Sequence, residues 1–218
     1  MIKRKTRITY YVSTEGLDEV LYLKHLQGLV NKCSTATKQI IFEAKQDKPT
    51  SFVKRISTGF ENSPFYHICD FEGVEYIENF KHNIDLCKEA ISYKGLQDYE
   101  FYYTNICFEL WIILHKVKFT SSISNKKRYL DVINKAYKLK IKSFSQLKEQ
   151  VNFSKILSQI ELKDVIEAIS TAKQICQANL ASHKYDSYNK IAFCQHNPDL
   201  NLHVLIEKVL KDVGIIKN

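Results

Sequence analysis

Two hydrophobic periodicities alternate through the first hundred residues of the chain. Segments rich in β-branched and aromatic residues predict strands, and segments with apolar residues at helical spacing predict helices. The predicted strands cover 7–14, 38–44, 65–70 and 99–103, and the predicted helices cover 18–31, 51–58 and 75–92. This alternation predicts a mostly parallel sheet covered on both faces. Right-handed crossovers place the carboxyl ends of its strands along one edge.

The second half of the chain is helical in pattern and has no glycine between Gly95 and Gly214. Apolar spacing predicts helices over 108–116, 126–140, 145–151, 162–181 and 198–213. Pro198 suits a first helical position, with Asn197 as the N-cap. We therefore predict an α/β core of about four strands or slightly more in residues 1–117. Residues 118–218 are expected to form a helical region packed on that core or continuous with it.

Composition adds a segregation of charge to this picture. Residues 61–109 contain ten acids and three lysines, whereas residues 116–148 contain ten lysines or arginines and one acid, Asp131. The second segment has a net charge of +9, whereas the net charge of all 218 residues is +8. Separate acidic and basic regions suit an enzyme that binds cations and polyanions side by side. The alternative is an ordinary solvated basic helix face.

No secretory or membrane-spanning segment is expected. The first residues are charged without an apolar core, and no run of about 18 apolar residues occurs. We therefore expect a cytoplasmic protein whose six scattered cysteines are reduced and mostly buried. Cys194 and His196 have the spacing of half a zinc site, but the sequence offers no second half.

Acidic residues follow the first predicted strand. Glu15 ends that strand, Gly16 permits a sharp turn into the helix, and Glu19 falls in the first helical turn. Helical side chains lean toward the amino end, so Glu19 is expected to point back toward the strand ends. Capping of the helix dipole is the alternative role for Asp18 and Glu19.

A second acidic pair follows the third predicted strand. Asp70 and Glu72 are two residues apart, so in an extended segment both face one side while Phe71 faces the core. Carboxylates at the carboxyl edge of an α/β sheet form a natural site for a hard metal ion. The acids therefore predict chemistry on phosphates.

These acidic motifs resemble those of the Toprim domain of topoisomerases, bacterial primases and overcoming-lysogenization-defect (OLD) nucleases. The E-G-x-x-E spacing is similar to the version found in the OLD nucleases. The chain departs from the family pattern in two places: Glu19 comes one residue early, and Glu72 replaces a more common aspartate.

Residues 105–115 contain the stretch F-E-L-W-x-x-L-H, which resembles the corresponding stretch of the RloB-like proteins. The N-P motif of residues 197–203 resembles the closing motif of the same family. The resemblance spans almost the whole chain. It implies a Mg²⁺- or Mn²⁺-dependent nuclease that acts on RNA or DNA in bacterial phage defence or abortive infection.

The resemblance also implies roles for particular residues. Glu15, Asp70 and Glu72 would bind the metal, Glu19 would help bind a second one, and Glu15 is alternatively a general base. The roles of Glu109 and His115 are judged from their positions in the predicted helix. Glu109, among apolar residues, either belongs to the catalytic site or is a structural acid bonded to a lysine or to backbone. His115 either protonates the leaving oxygen or contacts phosphate, or caps the end of its helix.

The basic segment is the predicted nucleic-acid surface, because lysines bind phosphates without reading sequence. Its predicted contact residues are Lys126, Lys127, Arg128, Lys135, Lys138 and Lys142. Tyr129 and Tyr137 either stack on unpaired bases or form the buried stripe of the helix, and the helical spacing favours burial.

A different class of function fits the same sequence. The chain is alternatively a non-catalytic component that binds nucleic acid or a partner protein through a degenerate site. Phosphatase or receiver-like chemistry on Asp70 is a third interpretation. The chain has no P-loop motif, so any ATP use requires a separate defence ATPase as partner. We expect no membrane association and leave homo-oligomerisation open.

Overall fold

The computed structural model describes residues 5–56, 63–94, 96, 98–123 and 125–217. Within these residues the strands are β1 (Arg7–Thr14), β2 (Gln39–Gln46), β3 (Phe65–Asp70), β4 (Tyr99–Asn105), β5 (Tyr185–Tyr188), β6 (Ile191–Cys194) and β7 (Asp199–Leu200). The helices are α1 (Leu17–Lys32), α2 (Pro49–Arg55), α3 (Ile77–Lys94), α4 (Glu109–Leu114), α5 (Lys127–Tyr137), α6 (Phe144–Leu147), α7 (Gln150–Leu157), α8 (Leu162–Ala181) and α9 (Leu202–Asp212).

Five of these strands form a mixed, mostly parallel sheet in the order β2-β1-β3-β4-β7. Strand β1 pairs in parallel with β2 and with β3, and β4 pairs antiparallel with β7. Strand β3 is buried along five of its six residues, as expected for a central strand covered on both faces. The predicted α/β architecture with a helical C-terminal part is therefore confirmed.

The predicted elements differ from the observed ones mainly at their ends. Strands β1 and β3 and helix α8 have the predicted bounds, whereas β2 and β4 each continue two residues further. The helix predicted over 145–151 is divided into α6 and α7. Thr58 and Gly59, where the second helix was predicted to end, lie outside the described residues.

The prediction that Pro198 begins the last helix is wrong. Asp199 and Leu200 form β7, and helix α9 begins at Leu202. The Asn197 side chain accepts a hydrogen bond from the Ile123 N–H at 2.7 Å instead of capping a helix. Tertiary hydrogen bonds to the segment before α9 thus outweigh its local helix-start signal.

The antiparallel hairpin of β5 and β6 was also not predicted. Its turn places Asn189 and Lys190 at positive φ angles of 52° and 69°. Glycine is the usual marker of such a turn, and no glycine is present here. The residue pattern therefore contained no strong hairpin signal.

The chain divides into two compact units that alternate along the sequence. The first unit comprises Met1–Cys69, Asn79–Tyr102 and Val204–Asn218, and the second comprises Asp70–Glu78 and Tyr103–His203. Each has a buried core, with Leu23 and Ile40 fully buried in the first and Trp111 fully buried in the second. Among the described helices, none is long and apolar enough to cross a membrane.

Candidate metal and nucleic-acid site

Glu15 directly follows β1 in the first unit. Its backbone N–H donates to the Ile68 carbonyl at 3.0 Å, which continues the pairing of β1 with β3. The Thr14 hydroxyl donates to the Gly16 carbonyl at 2.7 Å and fixes the turn into α1. The strand-end position predicted for Glu15 is therefore the one observed.

The Glu19 side chain folds back over Gly16, as its place in the first turn of α1 predicted. Only 3% of Glu19 is exposed. A Cβ atom at position 16 would lie 2.5 Å from Glu19 Oε2, so a side chain there would displace this carboxylate. Gly16 therefore allows the Glu19 carboxylate to approach the backbone closely.

Asp70 ends β3 and belongs to the second unit. Its Oδ1 atom accepts a hydrogen bond from the Thr104 hydroxyl at 2.8 Å, and the Phe71 N–H donates to the Thr104 carbonyl at 2.8 Å. Phe71 is fully buried against Phe193, whereas Glu72 is exposed. The prediction that Phe71 faces the core is confirmed.

Glu109 lies in the first turn of α4, and only 2% of it is exposed. The helix dipole stabilises a carboxylate at this position. The Cys107 side chain lies within electrostatic range of Glu109. Burial, followed by the negative charges of Glu109 and Asp70, raises the pKa of the Cys107 thiol well above its ordinary value. Cys107 is therefore a neutral thiol beside the carboxylates.

Lys126 links this acidic group to the basic segment. Burial lowers the pKa of its ammonium, but Cys107 and the carboxylates of Glu109, Asp70 and Glu72 raise the pKa more, so that the net shift is upward. Lys126 is also the N-cap residue of α5 and lies over the Phe144 ring at 5.5 Å. Lys126 is thus within electrostatic range of three acids of the second unit.

Helix α5 has one buried and one exposed face. Tyr129 and Tyr137 are fully buried, and their hydroxyls donate to the carbonyls of Asn105 and Ile112. The tyrosines therefore belong to the core, which was the favoured alternative. The other predicted phosphate-binding residues are exposed: Lys127, Arg128, Lys135, Lys138 and Lys142.

His115 is the C-cap residue of α4 and is 99% buried. Its Nδ1 atom lies 2.8 Å from the Trp111 carbonyl oxygen. Burial lowers the pKa of His115 to about 4, so the ring is neutral near pH 7. This geometry supports the helix-capping alternative, and the catalytic role of His115 stays a prediction.

The carboxylates have the chemistry that Mg²⁺ or Mn²⁺ requires, since they offer hard oxygen ligands. Among the described residues, no three His, Cys, Asp or Glu side chains form a group that could hold a metal ion. Mg²⁺ commonly uses one or two carboxylates and completes its shell with water and substrate phosphate. Asp70, whose Oδ1 atom accepts a hydrogen bond from Thr104, fits that sparse coordination.

Sequence reasoning did not identify three polar residues as candidates. The Thr104 hydroxyl donates to Asp70, the Cys107 thiol lies within electrostatic range of Glu109, and His67 is buried in β3 of the first unit. A threonine or histidine inside a predicted strand carries no signal of its own. The polar residues Thr104 and Asn105 at the end of an aromatic strand were the available hint.

The sheet and the acids at its strand ends define an α/β protein with a candidate phosphate-chemistry site. The family model described as RloB-like protein matches residues 10–209. The chain therefore belongs to the RloB-like family. The matched range includes both acidic motifs, Glu109 and the N-P tail. No curated protein and no solved structure matches the chain.

Proposed function

We propose that this protein is a metal-dependent nuclease that hydrolyses phosphodiester bonds and acts in bacterial defence against phage. The observation that carries the proposal is the Asp70 carboxylate at the end of β3, which accepts a hydrogen bond from the Thr104 hydroxyl at 2.8 Å and lies within electrostatic range of Lys126. Lys126 also begins a helix whose exposed face is basic. Membership of the RloB-like family supports the same conclusion.

Each residue of this arrangement has a defined part in the proposal. Thr104 fixes one carboxylate oxygen of Asp70 by donating a hydrogen bond. Glu109 and Asp70 keep Lys126 protonated, so that its ammonium can offset the charge that develops on a phosphate. Mg²⁺ or Mn²⁺, when bound by Asp70 and Glu72, supplies an activated water and further charge stabilisation.

Two further acids belong to the predicted ligand set. Glu15 and Glu19 are carried by the first unit, where Glu19 is buried and Glu15 follows β1. Their roles as ligands, and that of Glu15 as a general base, are tested by separate alanine variants. Each variant is expected to lose cleavage while retaining nucleic-acid binding through the basic face.

A nuclease assay with matched variants tests the proposal. Purified protein is incubated with Mg²⁺ or Mn²⁺ and with tRNA, total RNA or DNA. Asp70→Asn keeps the shape of the side chain and is expected to reduce cleavage by about 10³-fold. Asp131→Asn, which changes an exposed acid of α5, is expected to stay within twofold of the wild-type rate. Undiminished cleavage by Asp70→Asn would falsify the assignment.

The alternative function is a non-catalytic component of a defence system. The exposed lysines of α5 favour it, because they account for nucleic-acid binding without any chemistry. It predicts salt-sensitive binding, no cleavage with either metal, and full activity in cells for Glu15→Ala. Co-purification tests whether a separate ATPase accompanies the protein, and expression in phage-infected bacteria tests the defence role.

A further inference from the structure

A cavity of 420 Å³ in the first unit has no role in the arrangement around Lys126. It lies where β1 and β2 end and is lined by Glu15, Gln46, Asp47, Lys48, His67 and Asn83, together with Thr14. Its volume is within the range of small-ligand pockets. Its lining is polar, which indicates a ligand with several hydrogen-bonding groups.

His67 is one of the residues that line this cavity, and it has a buried polar atom. The side chain is 98% buried, and its Nδ1 atom lies 2.7 Å from the Ser13 hydroxyl, which in turn lies 2.6 Å from the Tyr99 hydroxyl. Within the described part of the chain, His67 Nε2 has no hydrogen-bond partner. A buried nitrogen without a hydrogen-bond partner destabilises the fold, so a ligand that supplies a hydrogen-bonding group would be bound favourably.

The charges around the cavity argue against an isolated phosphate as its ligand. Glu15 and Asp47 are balanced by Lys48 and by Arg55, which pairs with Asp47 at 3.2 Å. Burial lowers the pKa of His67 to about 4, so this ring adds no charge at neutral pH. Cations therefore do not outnumber carboxylates, and a neutral polar group is favoured over an anion.

The chemistry of the lining also argues against a nucleobase and for a sugar. Bases are usually bound by stacking on aromatic rings, and none of the described residues that line the cavity has an aromatic six-membered ring. The amides of Gln46 and Asn83 both donate and accept hydrogen bonds. A hydroxyl group also does both, so it can pair with His67 Nε2 in either tautomer of the ring.

We propose that this cavity binds a ribose of an RNA strand and that the 2′-hydroxyl bonds to His67 and Asn83. This proposal rests on the proposed function, because it takes the bound RNA strand to be the substrate of the nuclease. Because the 2′-hydroxyl distinguishes RNA from DNA, the cavity would make RNA the substrate class. Lys48 at the rim would contact a phosphate of the same strand.

Binding without metal tests this proposal separately from cleavage. Fluorescence anisotropy in EDTA compares single-stranded RNA, DNA and 2′-O-methyl RNA of one sequence. The wild-type protein is expected to bind RNA about five- to tenfold more tightly than the other two. Asn83→Ala and His67→Phe are expected to reduce this preference to less than twofold, mainly by weakening RNA binding.

Matched controls use exposed residues of the same helix α3. Asn79→Ala and His82→Phe carry the same substitutions outside the cavity and are expected to keep the wild-type preference. Asn83→Ala decides the test if His67→Phe does not fold. Equal wild-type affinity for RNA and DNA overturns the proposal. An unchanged preference in Asn83→Ala, or displacement of RNA by millimolar inorganic phosphate, also overturns it.

The two proposals fail in different ways. If no nucleic acid is cleaved with any metal but the RNA preference persists and depends on Asn83, the nuclease proposal fails and the ribose site stands. If RNA and DNA are both cleaved and Asn83→Ala changes neither binding nor cleavage, the nuclease proposal stands and the ribose site is rejected.

Discussion

Thr104 controls how the Asp70 carboxylate is presented, since its hydroxyl donates to Asp70 Oδ1. Thr104→Val keeps the shape of the side chain and removes this donor. Hydrogen bonds to charged groups contribute about 1.5–3 kcal/mol, so cleavage is expected to fall at least tenfold and stability by about 1–2 kcal/mol. Nuclease assays and urea unfolding measure these effects. Thr120→Val, at an exposed position, should change neither.

Gly16 and Gly28 make a matched pair for testing the buried Glu19 carboxylate. Gly16→Ala places a methyl group against Glu19 Oε2 and is expected to displace the carboxylate, reducing cleavage at least tenfold. Gly28 lies within α1, and a Cβ added there would meet no atom within 4 Å, so Gly28→Ala should stabilise the helix by about 1 kcal/mol. Nuclease assays and urea unfolding compare the two variants. Equal activity in both would contradict a role for Glu19.

Candidate site residues could be predicted from the sequence when the residue type by itself indicated a chemical role. Asp70 and Glu109 were predicted as candidates because a carboxylate that follows a strand, or lies among apolar residues, costs free energy unless it is paired. Thr104 and His67 were not identified, because such residues are common in strands and only their neighbours make them notable. The neighbours are set by strand pairing and by the paths of the loops.

Helix α5 and the residues that follow it present lysines to solvent, and this exposure predicts a strong salt dependence of binding. Replacing Lys135, Lys138 and Lys142 by alanine should reduce the slope of log K against log salt concentration by about 2 for a single strand. Anisotropy titrations over about 50 to 200 mM salt measure the slope. Alanine at exposed Lys155, Lys163 and Lys184 removes the same charge and should have a smaller effect.

The segment before α9 shows how tertiary hydrogen bonds override local preference. Asp199 is fully buried, and its carboxylate accepts hydrogen bonds from Tyr103, Asn179 and Tyr185. These bonds hold Asp199 in β7 beside the end of β4, although Pro198 favours a helix start. The three donors lie 96, 20 and 14 residues from Asp199 along the chain, beyond the reach of a local sequence pattern.

Both units contain a buried histidine, and the whole molecule should therefore be sensitive to acid. The pKa values of His67 and His115 are lowered to about 4 in the folded protein, mainly by burial. The unfolded chain takes up these protons near pH 6.5, so stability is full above that pH and falls as the pH decreases toward 4. The expected loss by pH 5 is about 2 kcal/mol for each histidine.

Urea unfolding at pH 7.5 and pH 5.0 measures this loss of stability. In His115→Gln the difference between the two pH values should be about half that of the wild type, because one titrating group is gone. Asp164 and Lys116 act on His115 and remain in place in this variant. His82→Gln, at an exposed histidine, should keep the wild-type difference.

The sequence by itself determined the order and type of the main elements, the acids at the ends of β1 and β3, and membership of the RloB-like family. These features depend on residue type and short-range periodicity, which a linear pattern contains. Only the tertiary structure decided that Lys126, one of ten basic residues of its segment, lies within electrostatic range of Asp70, Glu72 and Glu109. It also decided that Thr104 bonds Asp70 and that β7 replaces a helix start, because such contacts join residues far apart in the chain.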